Sequence, residues 1–230
     1  MRKNVWDRMA GSYDKRFRGM YAPIFEAVIS AIGSDDEVVE IGCGTGLVSF
    51  EIIPRVKRFV GADLSSAMIA VATEKLVNSG HANAMFITGD AMAMPEIGKF
   101  DKVLIVNLLQ VVDDPAGILS RARALVKEGG EIVVISYCHG ERMGARYRFL
   151  SRFMKLASSL GLMERLNRFT FEGLERIVQQ EGYGIIEERR VQGGFPFLFL
   201  RLANQATSMA ETEAAIDKSG DQELELEKKT

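Results

Sequence analysis

The 230-residue sequence is short of cysteine and histidine, with two of each: Cys43 and Cys138, His81 and His139. No CxxC pair is present, so a Cys/His zinc centre is not expected, and no metal is expected at all. So few cysteines fit a reducing compartment. No run of 18 apolar residues exists, so no transmembrane helix is expected. The opening stretch MRKNVWDRMAGSYDKRF lacks the apolar core of a signal peptide, and the expected location is the cytoplasm. A charge excess of one sign is also missing. The formal net charge is -2, which gives no global pull toward nucleic acid or an anionic membrane.

What is present is a core and a rhythm. Apolar residues make up 47% of the chain, enough for one sizeable α/β domain. Val5, Met9 and Tyr13, then Ile24, Val28 and Ile32, recur at helical spacing, and Gly11 and Gly19 are candidate breaks between N-terminal helices. The run EVVEI (37–41) reads as a buried strand stopped by glycines. Residues 47–57 read as a helix. Strand two is FVGAD (59–63), and residues 65–80 are a helix capped by Ser65 and Gly80. AMFITGD (84–90) and KFDKVLIVNLL (99–109) give strands three and four. A helix over 115–127 precedes strand five, EIVVISY (131–137). Residues 170–184 hold a helix capped by Thr170 and Gly182, and residues 184–191 and 195–203 are strands six and seven. This alternation predicts an α/β Rossmann-like three-layer sandwich, with a mostly parallel seven-stranded sheet and an antiparallel last strand. The domain is expected over 1–203, with N-terminal cap helices over 1–32 and a helical insert over 141–168. Residues 204–230 carry seven acidic residues and three lysines and read as a solvated acidic tail.

Strand one runs directly into Gly42-Cys43-Gly44-Thr45-Gly46. Glycines there allow a tight turn and close approach of a ligand to the main chain. Ligands of open α/β sheets sit at the carboxyl ends of strands, where this loop falls. The spacing G-x-G-x-G departs from the dinucleotide fingerprint G-x-G-x-x-G, because position 47 is Leu, and the GK[ST] ending of a Walker loop is absent. Glu40 sharpens the choice. A carboxylate buried in strand one is costly unless paired. It would repel a phosphate but suit a ligand carrying an ammonium and a sulfonium. Asp63, ending strand two, can accept both hydroxyls of a ribose. Asp90, after strand three, can accept from an adenine amino group.

The pieces VVEIGCGTG (38–46), GADLSSAM (61–68), GDAMAMP (89–95), FDKVLIVNLLQVVDDP (100–115) and GGEIVVIS (129–136) together resemble the class I S-adenosylmethionine (SAM)-dependent methyltransferases. VWDRMAGSYD (5–14) resembles small-molecule members, notably those acting on quinone precursors. The resemblance covers roughly residues 5–203. It implies SAM as cofactor, S-adenosylhomocysteine as product, and in-line methyl transfer to a small, partly apolar acceptor. It also implies roles. Glu40, Gly42 and Gly44 would hold the methionine part, and Gly46 would allow close helix packing. Asp63 would bind the ribose, with Leu64 and Met68 flanking the adenine and Asp90 and Ala91 at its edge. Asn107 and Leu108 would lie beside the sulfonium, and Tyr13 would close over the cofactor.

Acceptor-side candidates are fewer. Many relatives carry His where this chain reads Leu109-Gln110-Val111-Val112, and Gln110, a substrate candidate, cannot serve as a general base. Tyr137 and His139 follow strand five and are the candidates for catalysis. The insert segment 142–168 holds seven basic residues against one acidic, Glu164. Its plainer reading is an amphipathic helix with a solvated basic face. The sharper reading is a lid in which Arg142 and Arg146 meet a negatively charged acceptor. Methyl transfer needs alignment and water exclusion more than a base, so the lack of a catalytic triad is compatible with it. The competing readings are a methyltransferase acting on RNA or protein, an NAD-linked oxidoreductase, which Leu47 and Glu40 disfavour, and a non-catalytic SAM-binding module. A small-molecule acceptor is the expected partner. No nucleic acid is expected, and a homodimer is an allowed assembly.

Overall fold

The computed structural model describes residues 3–89, 97–141, 166–191 and 195–203. The N-terminal helices are α1 (Lys3–Met9), a 3-10 turn (Ala10–Ser12) and α2 (Tyr13–Ser30). Then come β1 (Glu37–Ile41), α3 (Ser49–Ile52) with a 3-10 turn over Ile53–Arg55, β2 (Arg58–Asp63), α4 (Ser66–Ser79) and β3 (Ala84–Thr88). They are followed by β4 (Phe100–Val106), α5 (Pro115–Leu125), β5 (Val126–Tyr137), α6 (Phe171–Gln180), β6 (Gly184–Val191) and β7 (Phe197–Ala203). Among the described residues the sheet has seven strands in the order β3-β2-β1-β4-β5-β7-β6. β1 to β5 pair in parallel, and β7 runs antiparallel between β5 and β6. The expected Rossmann-like three-layer architecture is therefore present.

The central strands are apolar on both faces because both faces are covered. Val39, Val103 and Ile105 pack with α5 and α6 through Leu119, Leu174 and Val178. Val38, Leu104 and Val133 alternate with them and pack on the other side, against Ile24 and Val28 of α2 and Ile52 of α3. Truncating a fully buried residue such as Leu104 to Ala would cost about 2–5 kcal/mol.

Helix starts follow capping chemistry. The Ser65, Asp114 and Thr170 side chains accept from the backbone N–H groups of Met68, Gly117 and Gly173, and Pro115 occupies the first turn of α5. Gly80 closes α4 in the left-handed region. At α6 the cap is Glu181, and Gly182 beside it takes φ +74°. Gly11 falls in the 3-10 turn that separates α1 from α2, whereas Gly19 lies inside α2 without breaking it.

Other boundaries differ from expectation. α5 ends at Leu125, two residues early, because β5 already begins at Val126. The strand absorbs Gly129 at φ +72°, and its register against β4 slips between Phe100 and Lys102. A Cβ at Gly130 would lie 2.8 Å from the Asp101 carbonyl, so only glycine passes there. β4 stops at Val106 because Asn107 turns to φ +50°, a left-handed conformation that asparagine tolerates. Residues 142–165 of the insert expected over 141–168, and the tail 204–230, lie outside the described residues. The described residues on either side are joined: Gly140 N–H donates to the Phe169 carbonyl at 2.7 Å, and Phe171 N–H to Glu141 Oε1 at 2.8 Å.

Candidate active site

The parallel strands deliver Glu40, Asp63 and Asn107 to one edge of the sheet. An open pocket of about 560 Å³, mouth included, lies there, and all three residues line it. The glycine loop forms its floor. Gly42, Gly44 and Gly46 take φ of +75°, +57° and +75°. A Cβ on Gly44 would meet nothing within 4 Å, so the loop presents bare backbone to open space there, whereas at Gly42 a Cβ would lie 2.7 Å from the Leu108 side chain. Gly46 serves packing, since a Cβ there would sit 3.0 Å from Phe50 and 3.2 Å from Phe86.

Glu40 carries the strongest electrostatic demand. It is 2% exposed, and its hydrogen bond comes from Ser49 Oγ at 2.5 Å. Burial pushes its pKa up to about 7; the Ser49 bond opposes that shift and the charge of Asp63 adds to it. Asp63 sits at the end of β2. Its Oδ2 accepts from Gly44 N–H at 2.9 Å and its Oδ1 from Ser65 N–H at 2.8 Å. Burial raises its pKa despite those bonds, and neighbouring Asp7 pushes the same way.

The N-terminal helices form the roof. Trp6, Tyr13 and Tyr21 line the pocket, and the two tyrosine hydroxyls lie 2.9 Å apart. Burial raises both phenol pKa values, so both stay protonated. Two aspartates fasten the roof. Asp7 accepts from Ser65 Oγ at 2.5 Å, and Asp14 accepts from Thr45 Oγ1 at 2.5 Å and from Lys75 Nζ at 2.8 Å. Lys75 also donates to the Thr45 carbonyl at 2.9 Å and lies 4.7 Å from the Phe50 ring centre.

Of the residues read as cofactor contacts, Tyr13, Glu40, Gly42, Gly44, Asp63, Met68, Asn107 and Leu108 line this pocket. Leu64 follows Asp63 without being a lining residue, and Asp90 and Ala91 lie outside the described residues. So do Arg142 and Arg146. Gln110 is buried, and both ends of its amide are engaged within the protein. Tyr137 and His139 are buried together with ring centres 3.9 Å apart, away from the pocket lining. Burial lowers the His139 pKa to about 4, with Arg168 adding to the shift, so the ring is neutral near pH 7. Trp6 and Tyr21 were not foreseen as pocket residues. Their signal was present in the spacing, because Trp6 and Tyr21 stand seven residues before and eight after Tyr13 on helical sequence. Among the described residues no group of His, Cys, Asp and Glu could hold a metal ion, and no helix is long and apolar enough to cross a membrane.

A mostly parallel seven-stranded sheet with a glycine loop after its first strand, and with a buried carboxylate and an unpartnered amide N–H at its carboxyl edge, defines a Rossmann-like fold. The chain belongs to the methyltransferase domain family, whose model matches residues 32–188. It is 35% identical over 97 residues to a ubiquinone biosynthesis O-methyltransferase of Stutzerimonas stutzeri, a stretch covering 42% of each chain. It is 33% identical over 106 residues to a demethylmenaquinone methyltransferase of Lactococcus lactis, covering 44% of this chain and 42% of that relative. These matches thus span about two fifths of the relatives' length. A solved Thermotoga maritima SAM-dependent methyltransferase, described as a possible histamine N-methyltransferase, shares the fold. Its TM-score is 0.66 at 21% identity, over 88% of this chain and 99% of that one.

Proposed function

We propose that this chain binds SAM at the carboxyl edge of its sheet and transfers the methyl group to a small, partly apolar acceptor. The observation that carries this reading is Glu40, a buried carboxylate whose hydrogen-bond partner is a hydroxyl, facing a pocket floored by open glycine backbone. A ligand ammonium satisfies that carboxylate, whereas a phosphate is repelled by it. Asp63 stands where a ribose is held by carboxylate oxygens, and buried Met68 offers an apolar face for a purine.

When bound, SAM supplies a methyl group already activated by its sulfonium, with a neutral thioether as leaving group. The protein's part is then alignment and exclusion of water. The Trp6–Tyr13–Tyr21 roof covers the ligand, and the Asp7 and Asp14 latches hold that roof against the glycine loop and α4. Similarity to a ubiquinone biosynthesis O-methyltransferase and a demethylmenaquinone methyltransferase supports an acceptor related to quinone precursors, and the first of these supports O-methylation. Tyr137 and His139 stay candidates on the acceptor side, where His139, its pKa lowered to about 4, would orient an acceptor as a neutral ring and act only as a weak base.

Calorimetric titration with SAM and with NAD tests the cofactor. Micromolar SAM binding without NAD binding is expected, and absence of SAM binding by the pure protein would reject the reading. Labelled SAM offered with metabolite extracts then identifies the acceptor by transfer of label into a small molecule rather than into RNA or protein.

A further inference from the structure

We propose that Gln110 and Ser136 are positioning residues that aim the Asn107 carboxamide at the amino-acid end of the cofactor, with Asn167 stapling the turn that carries them. This rests on the assignment of the pocket to SAM. Asn107 follows β4 in a left-handed conformation, φ +50°, and lines the pocket. Its Oδ1 accepts twice, from Gln110 Nε2 at 3.1 Å and from Tyr137 N–H at 2.8 Å. Those two bonds fix the orientation of the amide, because only the oxygen can accept. Its Nδ2 is buried without a hydrogen-bond partner. The Tyr21 hydroxyl is near enough for Asn107 to lower its pKa against the effect of burial, but no hydrogen bond of good geometry joins it to Nδ2. A buried donor left open is costly unless a ligand completes it.

Gln110 is held in turn. Its Oε1 accepts from Ser136 Oγ at 2.8 Å on β5. The turn itself is clamped by Asn167, which donates from Nδ2 to the Leu109 and Val112 carbonyls at 3.0 and 2.7 Å, and from its backbone N–H to the Gln110 carbonyl at 2.7 Å. Asn167 stands where the chain returns from residues 142–165, so the same staple joins that return to the cofactor edge. Glu40 meets the ammonium in this arrangement, and Asn107 Nδ2 donates to the neighbouring carboxylate of the same ligand.

The test compares two ligands: S-adenosylhomocysteine, and 5'-methylthioadenosine, which lacks the amino-acid portion. Titrations are followed by calorimetry and by the fluorescence of Trp6, the single tryptophan. Asn107→Asp keeps the oxygen acceptor and removes the donor. Gln110→Leu and Ser136→Ala release the clamp, the latter with little change in volume, so at least one folded variant is secured; thermal melting checks each. The expected result is S-adenosylhomocysteine binding weakened about tenfold or more in Asn107→Asp and Gln110→Leu, and less in Ser136→Ala, with methylthioadenosine affinity unchanged. Equal loss for both ligands would reveal general disruption of the site and overturn the proposal, as would no loss for either. A wild-type protein that binds neither ligand would instead overturn the assignment of the pocket itself.

Discussion

Glu37 and Glu40 lie three positions apart on β1, yet the two ends of the sheet treat them oppositely. Glu37, at the amino edge, has Lys57, Arg58 and Lys127 at 3.3, 3.6 and 3.8 Å, and its pKa is lowered, first by the Lys57 bond. Glu40, at the carboxyl edge, is buried beside Ser49 with its pKa pushed up to about 7. The pattern extends beyond these two. At the amino edge Glu131 is buried in part, but bonds from Arg201 and Lys102 hold its pKa below the usual range. Arg201 grips Glu131 twice, at 2.8 and 2.9 Å, and Glu187 at 2.8 Å. At the carboxyl edge burial raises the pKa of both Glu40 and Asp63 in spite of their hydrogen bonds, and Asn107 Nδ2 is buried without a partner. One end of the sheet is internally satisfied and serves stability. The other, under the proposed function, is preorganised for SAM and carries the energetic cost until it binds.

The contrast can be broken most sharply at Glu40. Glu40→Gln should weaken SAM binding by about 100-fold in calorimetry. The same change should stabilise the free protein in alkaline conditions. A carboxyl whose folded pKa is about 7 contributes stability that is full below its unfolded pKa and lost as pH rises through 7. The glutamine variant escapes that loss, so its Tm should exceed that of the wild type by several degrees at pH 8, with the gain vanishing toward pH 5. At the other end, Arg201→Met should lower unfolding free energy by about 1–3 kcal/mol in urea titration while leaving SAM affinity unchanged. A binding defect in that variant would show that the two ends are not separable. The smallest effect belongs to the roof. Lys75→Met loosens Asp14 from the loop and should weaken SAM binding only about threefold, because the pair is partly exposed.

Much of this was legible in the sequence, and the reason is local. β1, β4 and β5 are short apolar runs stopped by glycine or polar turns, and the glycine loop with Glu40 and Asp63 follows strand ends directly. What was hidden depends on contacts between distant segments. The ion pairs of the amino edge join β1, β4, β5 and β7, and no spacing rule brings Glu131 to Arg201. Gln110 reads as a substrate candidate because many relatives carry His in its stretch, whereas its amide is committed to Ser136 and Asn107. The early end of α5 was set by sheet pairing of Val126, which overrode the helical pattern. The two aspartate latches, Asp7 and Asp14, stand seven residues apart, but their partners come from α4, its cap Ser65 and the glycine loop.

Under the proposed function, Glu40 is a buried carboxylate that a ligand cation completes. The most direct measurement is the SAM dissociation constant of the wild-type protein between pH 5.5 and 8. Only the ionised carboxylate accepts the ligand's ammonium, so affinity should fall toward tenfold per pH unit below about 7 and level off above it, with Glu40→Gln flat across the range. SAM binding that is equally tight at pH 5.5 and 7.5, or a glutamine variant that binds as well as the wild type, would contradict it.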